Sequence, residues 1–274
     1  VHLPYIGANY NAVYPFRTSV LFTDSLPLAA LFFKLLGGIL PTRFQYFGWW
    51  GLLCYALQGG LAQAVIARIA GVQPTFGRDD KSKAAVAIIM SPGQTDKLWG
   101  SVLGAGVLVL FPALTIRMFA HTALAANWLV LLALYLWLRS DELMPTTRRA
   151  CLIWGGMGLL CAGIHLYYLP MVGLVLVGYA VRRALQKRGF AAEILPVAAF
   201  CVTALAELFL LGAFAVNFAG YSNGYLSGAD YFGLFVPWLA QSWEQNVYAG
   251  IGTSLAVVLA VFGTAQYLHE RAEH

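Results

Sequence analysis

Charge is what this chain has least of. Only 11% of its 274 residues are Asp, Glu, Lys or Arg, whereas 60% are apolar and the mean hydropathy is +0.70. That excludes an ordinary soluble domain, in which roughly a quarter of the residues are charged. Most of the chain must face lipid or other helices. Long basic runs are also missing and the aromatics lie within apolar segments, so the +5 net charge gives no nucleic-acid surface. Cysteine is sparse. Cys54, Cys151, Cys161 and Cys201 fall in apolar runs without metal-type spacing, and read as small apolar residues rather than disulfide or metal sites. Neither a Walker loop, a dinucleotide fingerprint, a His-Glu-x-x-His site nor a Gly-x-Ser-x-Gly elbow occurs. A signal-like region is absent too. The chain opens at Val1 in Tyr/Asn/Pro-rich sequence without an initiator methionine, so an upstream piece such as a preceding helix is expected.

What is present is a succession of apolar segments. Residues 1–24 read as loop, punctuated by Pro4, Gly7, Asn9, Asn11 and Pro15. Residues 25–40 are apolar but short and carry Lys34, and crossing the hydrocarbon takes about 20 residues. This segment is expected to lie at the interface, with Lys34 reaching out to water. Spans are expected over 44–67, 98–116, 122–138, 150–163, 169–181, 194–214 and 249–268. The expected architecture is an all-α polytopic membrane helix bundle: a single transmembrane domain over 1–274 with seven spans and one interfacial helix.

Loop charge orients the bundle. The loops at 68–97, 139–149, 182–193 and 269–274 hold thirteen of the seventeen Lys and Arg residues. Only Arg17, Lys34, Arg43 and Arg117 fall elsewhere. By the positive-inside bias the basic loops are cytoplasmic. The outer face then collects the loop 1–43, the turns at Arg117/His121 and at His165, and a second loop, 215–249.

Asp24 stands between Thr23 and Ser25, three residues before Pro27. It fits a helix N-cap. It equally fits a general base at the membrane surface, or a carboxylate that positions an acceptor or a metal. Arg117 and His121 are four apart, which on a helix puts them on one face. An Arg at this height commonly snorkels, but an Arg/His pair also suits a lipid-linked phosphate, whose oxygens guanidinium grips as a fork. His165 lies in a hairpin turn with Tyr167, Tyr168 and Pro170, as a capped structural residue or as a ligand of the same phosphate. Glu207 is the one carboxylate well inside a span. In the second outer loop, Tyr221, Asn223, Asp230 and Glu244 make a sugar-like lining, although Tyr and Trp there also serve as interface anchors.

Several blocks carry a resemblance. They are Thr23-Asp24-Ser25-Leu26-Pro27-Leu28, Phe44-Gln45-Tyr46-Phe47-Gly48-Trp49-Trp50, and His121-Thr122-Ala123-Leu124 before Asn127-Trp128. Ile164-His165-Leu166-Tyr167-Tyr168-Leu169 and Glu244-Gln245-Asn246-Val247-Tyr248-Ala249-Gly250 belong with them. Through most of residues 14–260 the chain resembles an uncharacterised family of bacterial multi-pass proteins that is similar to the GT-C glycosyltransferases. The first two blocks are the most specific. The resemblance implies a polyprenyl-phosphate sugar donor, membrane lipid around the bundle, and an essential acid in the first outer loop followed by interfacial helices. On it, Asp24 is the acid/base candidate, and Arg117, His121 and His165 are candidates for the donor phosphate. It leaves the cofactor, a divalent metal for example, undetermined. The expectation is a glycosyltransferase of the bacterial inner membrane working on the extracytoplasmic face. A transporter or flippase for a lipid-linked or sugar substrate, or a non-catalytic scaffold, is the alternative. The transporter would need polar residues at mid-depth, where only Gln58, Gln63 and Glu207 stand.

Overall fold

The computed structural model describes residues 7–9, 18–41, 43–72, 92–186 and 190–215. Two short strands, β1 (Ala8–Asn9) and β2 (Thr18–Ser19), pair antiparallel, and a single 3-10 turn, Val20–Phe22, follows. The expected loop therefore has structure of its own. Nine α-helices follow among the described residues: α1 (Pro27–Leu35), α2 (Phe47–Ile69), α3 (Pro92–Val109), α4 (Pro112–Ala120), α5 (Trp128–Leu138), α6 (Ser140–Leu143), α7 (Thr147–Ile164), α8 (Tyr168–Leu185) and α9 (Phe190–Leu210). Among the described residues, three helical stretches are long and apolar enough to cross a membrane: Phe47–Ile69, Tyr168–Leu185 and Ala192–Leu210. Less than a third of each is buried inside the bundle. Leu103, Leu110, Phe119, Leu174 and Leu185 are among the large apolar side chains left exposed, an outward surface that suits lipid rather than water.

Two expected spans are shaped differently. The apolar run 98–116 is not one helix, because Pro112 has no N–H to give the carbonyl of Leu108. The chain ends α3 at Val109 and restarts as α4. Gln58 Nε2 of α2 donates to the released Leu108 carbonyl at 3.4 Å. Likewise 122–138 divides into a 3-10 turn, Thr122–Ala125, and the eleven-residue α5, about 16 Å long at 1.5 Å per residue. The α1 helix, of nine residues, is too short to cross and lies against α7. The last expected span, 249–268, is outside the described residues.

The tightest packing joins α7 to α9, which run parallel. A Cβ at Gly158 would sit 2.5 Å from the Phe200 carbonyl oxygen, so glycine is what lets the two backbones approach. Thr203 Oγ1 donates across the seam to the Gly155 carbonyl at 2.8 Å. Beside it, Trp154, Leu129, Val172, Leu176 and Tyr179 form a core between α5, α7 and α8. The Glu207 carboxyl lies on this seam against the Gly163 backbone, and its Oε2 is buried without a hydrogen-bond partner. The four cysteines are free thiols, two of them buried (Cys54 and Cys161), with Cys201 exposed on the outer surface of α9.

Because successive long helices alternate in direction, their ends collect at two poles. One holds the starts of α2, α5 and α8 and the ends of α7 and α9. Ser19 fastens the N-terminal segment there, its Oγ donating to the Leu211 carbonyl at 2.6 Å. The opposite pole holds Arg68, Arg139, Arg182 and Arg183. There Arg183, 5% exposed, is bound by Glu193 at 3.3 Å and Asp141 at 3.2 Å, and Glu142 pairs with Arg68 at 2.7 Å and with Arg139. The expected basic loop after residue 181 is thus partly helix, since α8 runs on to Leu185.

Candidate functional site

Asp24 does not cap the helix that follows it. The N-cap position of α1 is Leu26, which gives no side-chain cap, and Ser25 is turned back so that its Oγ donates to the Val20 carbonyl at 2.5 Å. Asp24 instead reaches a segment 99 residues on. The backbone N–H of Ala123 donates to its Oδ1 at 3.2 Å. Ala123 is the second residue of the 3-10 turn Thr122–Ala125, whose early N–H groups lack partners inside the turn. The carboxylate is therefore a cap supplied from elsewhere in the chain.

The other oxygen, Oδ2, faces His121 Nδ1 at 3.8 Å, with the two side chains 33% and 31% exposed. A third of each remains open, so the pair is reachable by a ligand. His121 has left the helical path: α4 ends at Ala120, and His121 takes φ −135° and ψ 75°. The four-residue spacing from Arg117 therefore does not place the two side chains on one helical face. His121 turns to Asp24, whereas Arg117, in the last turn of α4, lines a cavity of about 420 Å³ with Gln58, Phe111, Asn127, Tyr167 and Met171. Among the described residues lining this cavity, Arg117 alone carries charge.

His165 occupies the α7–α8 turn with extended backbone, its ring edge-on to Tyr167 at 4.8 Å. The Tyr167 N–H donates to His165 Nδ1 at 3.3 Å, which leaves the proton of a neutral ring on Nε2. Burial pushes this imidazole below the ordinary histidine value. The Asp24 carboxylate opposes that shift, and the charges of His121 and Arg117 add to it. The four candidates Asp24, Arg117, His121 and His165 thus share one electrostatic neighbourhood at one pole.

The turn that presents His121 is held from three directions. Trp50 Nε1 of α2 donates to the Thr122 carbonyl at 3.0 Å, Tyr168 Oη of α8 donates to the Leu124 carbonyl at 2.7 Å, and Asp24 takes the Ala123 N–H. Trp50 and Tyr168 were not singled out by sequence reasoning as members of the site. Their only sequence signal is that both fall inside the blocks that carry the resemblance. Tyr221, Asn223, Asp230 and Glu244 lie outside the described residues. As to a metal, no group of three His, Cys, Asp or Glu side chains comes together among the described residues. Among the described residues, Asp24 and His121 bring two such donors together.

The chain belongs to the family of the domain of unknown function DUF6311, whose profile matches residues 1–273. No curated protein and no solved structure matches it.

Proposed function

We propose that this protein is an integral membrane glycosyltransferase of GT-C type. It would move a sugar from a polyprenyl-phosphate donor to an acceptor on the extracytoplasmic face of the bacterial inner membrane. The observation that carries this reading is the convergence of one carboxylate, two imidazoles and one guanidinium beside an apolar cavity at the pole away from the arginine cluster. A donor of this class has an anionic phosphate on a long hydrocarbon chain. Arg117 at an apolar wall matches that combination, and a neutral His165 still offers Nε2–H to a phosphate oxygen. Asp24 supplies the negative charge that removal of a proton from the acceptor requires. Facing away from the basic pole, the site would open to the outer side. Loop 215–249, with Tyr221, Asn223, Asp230 and Glu244, would shape the acceptor side.

The transporter alternative finds no specific observation in its favour. Gln58 and Gln63 hold α3 against α2, through the Leu108 carbonyl and Ser101 Oγ. The test is to supply membranes containing the full-length protein with a panel of labelled polyprenyl-phosphate sugars and to separate label joined to an acceptor from label that has only crossed the bilayer. Joined label is expected. Label that crosses without a new covalent bond would replace the enzyme by a transporter.

A further inference from the structure

The geometry around Asp24 divides its work between two residues. Its Oδ1 takes the Ala123 N–H, and its Oδ2 lies 3.8 Å from Nδ1 of His121. A carboxylate beside one ring nitrogen favours the tautomer that carries its proton there, which leaves the second nitrogen as the basic atom. The backbone around His121 is held by Trp50, Tyr168 and Asp24 itself, so the ring is presented by a fixed turn rather than by a loose loop. An imidazole oriented in this way by a carboxylate is the arrangement in which the ring takes the proton and the carboxylate positions it.

We infer that His121 is the proton acceptor of the transfer reaction and that Asp24 is its positioning residue, an inference that rests on the glycosyltransferase reading. The acceptor hydroxyl gives its proton to His121 Nε2. Its oxygen bonds to the anomeric carbon. The bond from that carbon to the phosphate oxygen breaks, and the electron pair leaves with the polyprenyl phosphate, whose negative charge Arg117 meets. The imidazolium is balanced by the Asp24 carboxylate and returns its proton to water. Among the described residues, the Asp24 carboxylate, from the segment before α1, faces the His121 ring, and His165, from the α7–α8 turn, interacts with it electrostatically.

The experiment measures kcat and donor KM from pH 5 to 9 for the full-length protein in membranes, with His121→Gln and Asp24→Asn beside it. His165→Asn is run as a fourth profile to separate the two histidines. The expected wild-type kcat falls on the acidic side, where protonation removes the base. His121→Gln is expected to lose about 100-fold or more in kcat, with donor KM little changed, and to lose the acidic limb. His165→Asn should keep that limb. A His121→Gln variant that raises only the donor KM and retains the limb would make His121 a phosphate ligand and overturn the assignment. A limb that disappears in His165→Asn instead would overturn it in favour of the other ring. Wild-type membranes that join no sugar at all would overturn the function as well, and that outcome is distinct because failure of the pair alone leaves the wild type active. As a readout independent of turnover, the rate at which diethyl pyrocarbonate modifies His121 should change in Asp24→Asn, and an unchanged rate would contradict the coupling.

Discussion

At the scale of single residues, Asp24 serves structure and charge through different oxygens, and two substitutions separate them. An Asn side chain keeps an oxygen for the Ala123 N–H but has no charge, whereas Ala loses both. Asp24→Ala should therefore lose about 1 kcal/mol of stability, the usual worth of a cap, with Asp24→Asn close to wild type. Thermal melts in detergent measure this, and equal melts for the two variants would contradict the cap. His165 gives a pH signature. The folded protein holds this proton less tightly than the unfolded chain, so between the ordinary value near 6.5 and the lowered folded one the unfolded state binds more protons. Stability is full above about pH 6.5 and falls as the pH drops below it. Wild type should lose more Tm than His165→Asn between pH 7.5 and 5.5, and parallel losses would remove His165 from the acid response. The candidacy of Asp24 was legible in sequence as a carboxylate among hydroxyls before Leu26-Pro27. The cap it makes was not, because its partner is 99 residues away and no local pattern encodes that separation.

At the scale of elements, the glycines of α7 are unequal. Gly158→Ala would drive a Cβ into the Phe200 carbonyl, which is backbone and cannot turn aside, and should cost about 1–3 kcal/mol. Gly156 has nothing within 4 Å, so Gly156→Ala should be neutral or gain up to about 1 kcal/mol from helix propensity. Melting the two variants side by side checks the α7–α9 seam, and equal effects would contradict it. Helices α2, α7, α8 and α9 were readable because each is an apolar run ended by charge or a polar turn. The run 98–116, expected as one span, is two helices. Its apolar composition hid Pro112, which matters through the single hydrogen bond it cannot make. The 3-10 turn before α5 was hidden for a similar reason, since Ala123, Leu124 and Ala125 continue the apolar run of the helix they precede.

At the scale of the whole molecule, the bundle sorts its ionisable groups to two ends for different purposes. One pole is an ion-pair lattice built around the buried Arg183–Glu193 pair. Removing the charge of Arg183 would leave Glu193, also 5% exposed, as a buried carboxylate without its cation. Arg183→Met should therefore cost about 3–5 kcal/mol, and adding Glu193→Met should recover much of it. Melts of the single and double variants test this, and a double variant no better than the single would contradict it. The positive-inside count pointed to this pole as a basic surface, but not to its acids. Asp141 and Glu193 meet Arg183 from separate helices, and loop counting does not see such partners.

The other pole keeps its charges partly open: Asp24 and His121 are each about a third exposed, and Arg117 stands at the wall of the cavity. That contrast, between close ion pairs at one pole and a single looser pair near a cavity at the other, underlies the functional reading. Its most direct test is the rate of sugar transfer from a polyprenyl-phosphate donor in membranes holding wild-type or Asp24→Asn protein, with inserted protein measured in both. The account predicts a loss of about 100-fold or more at equal insertion and nearly equal thermal stability. Equal transfer by the two proteins would contradict it.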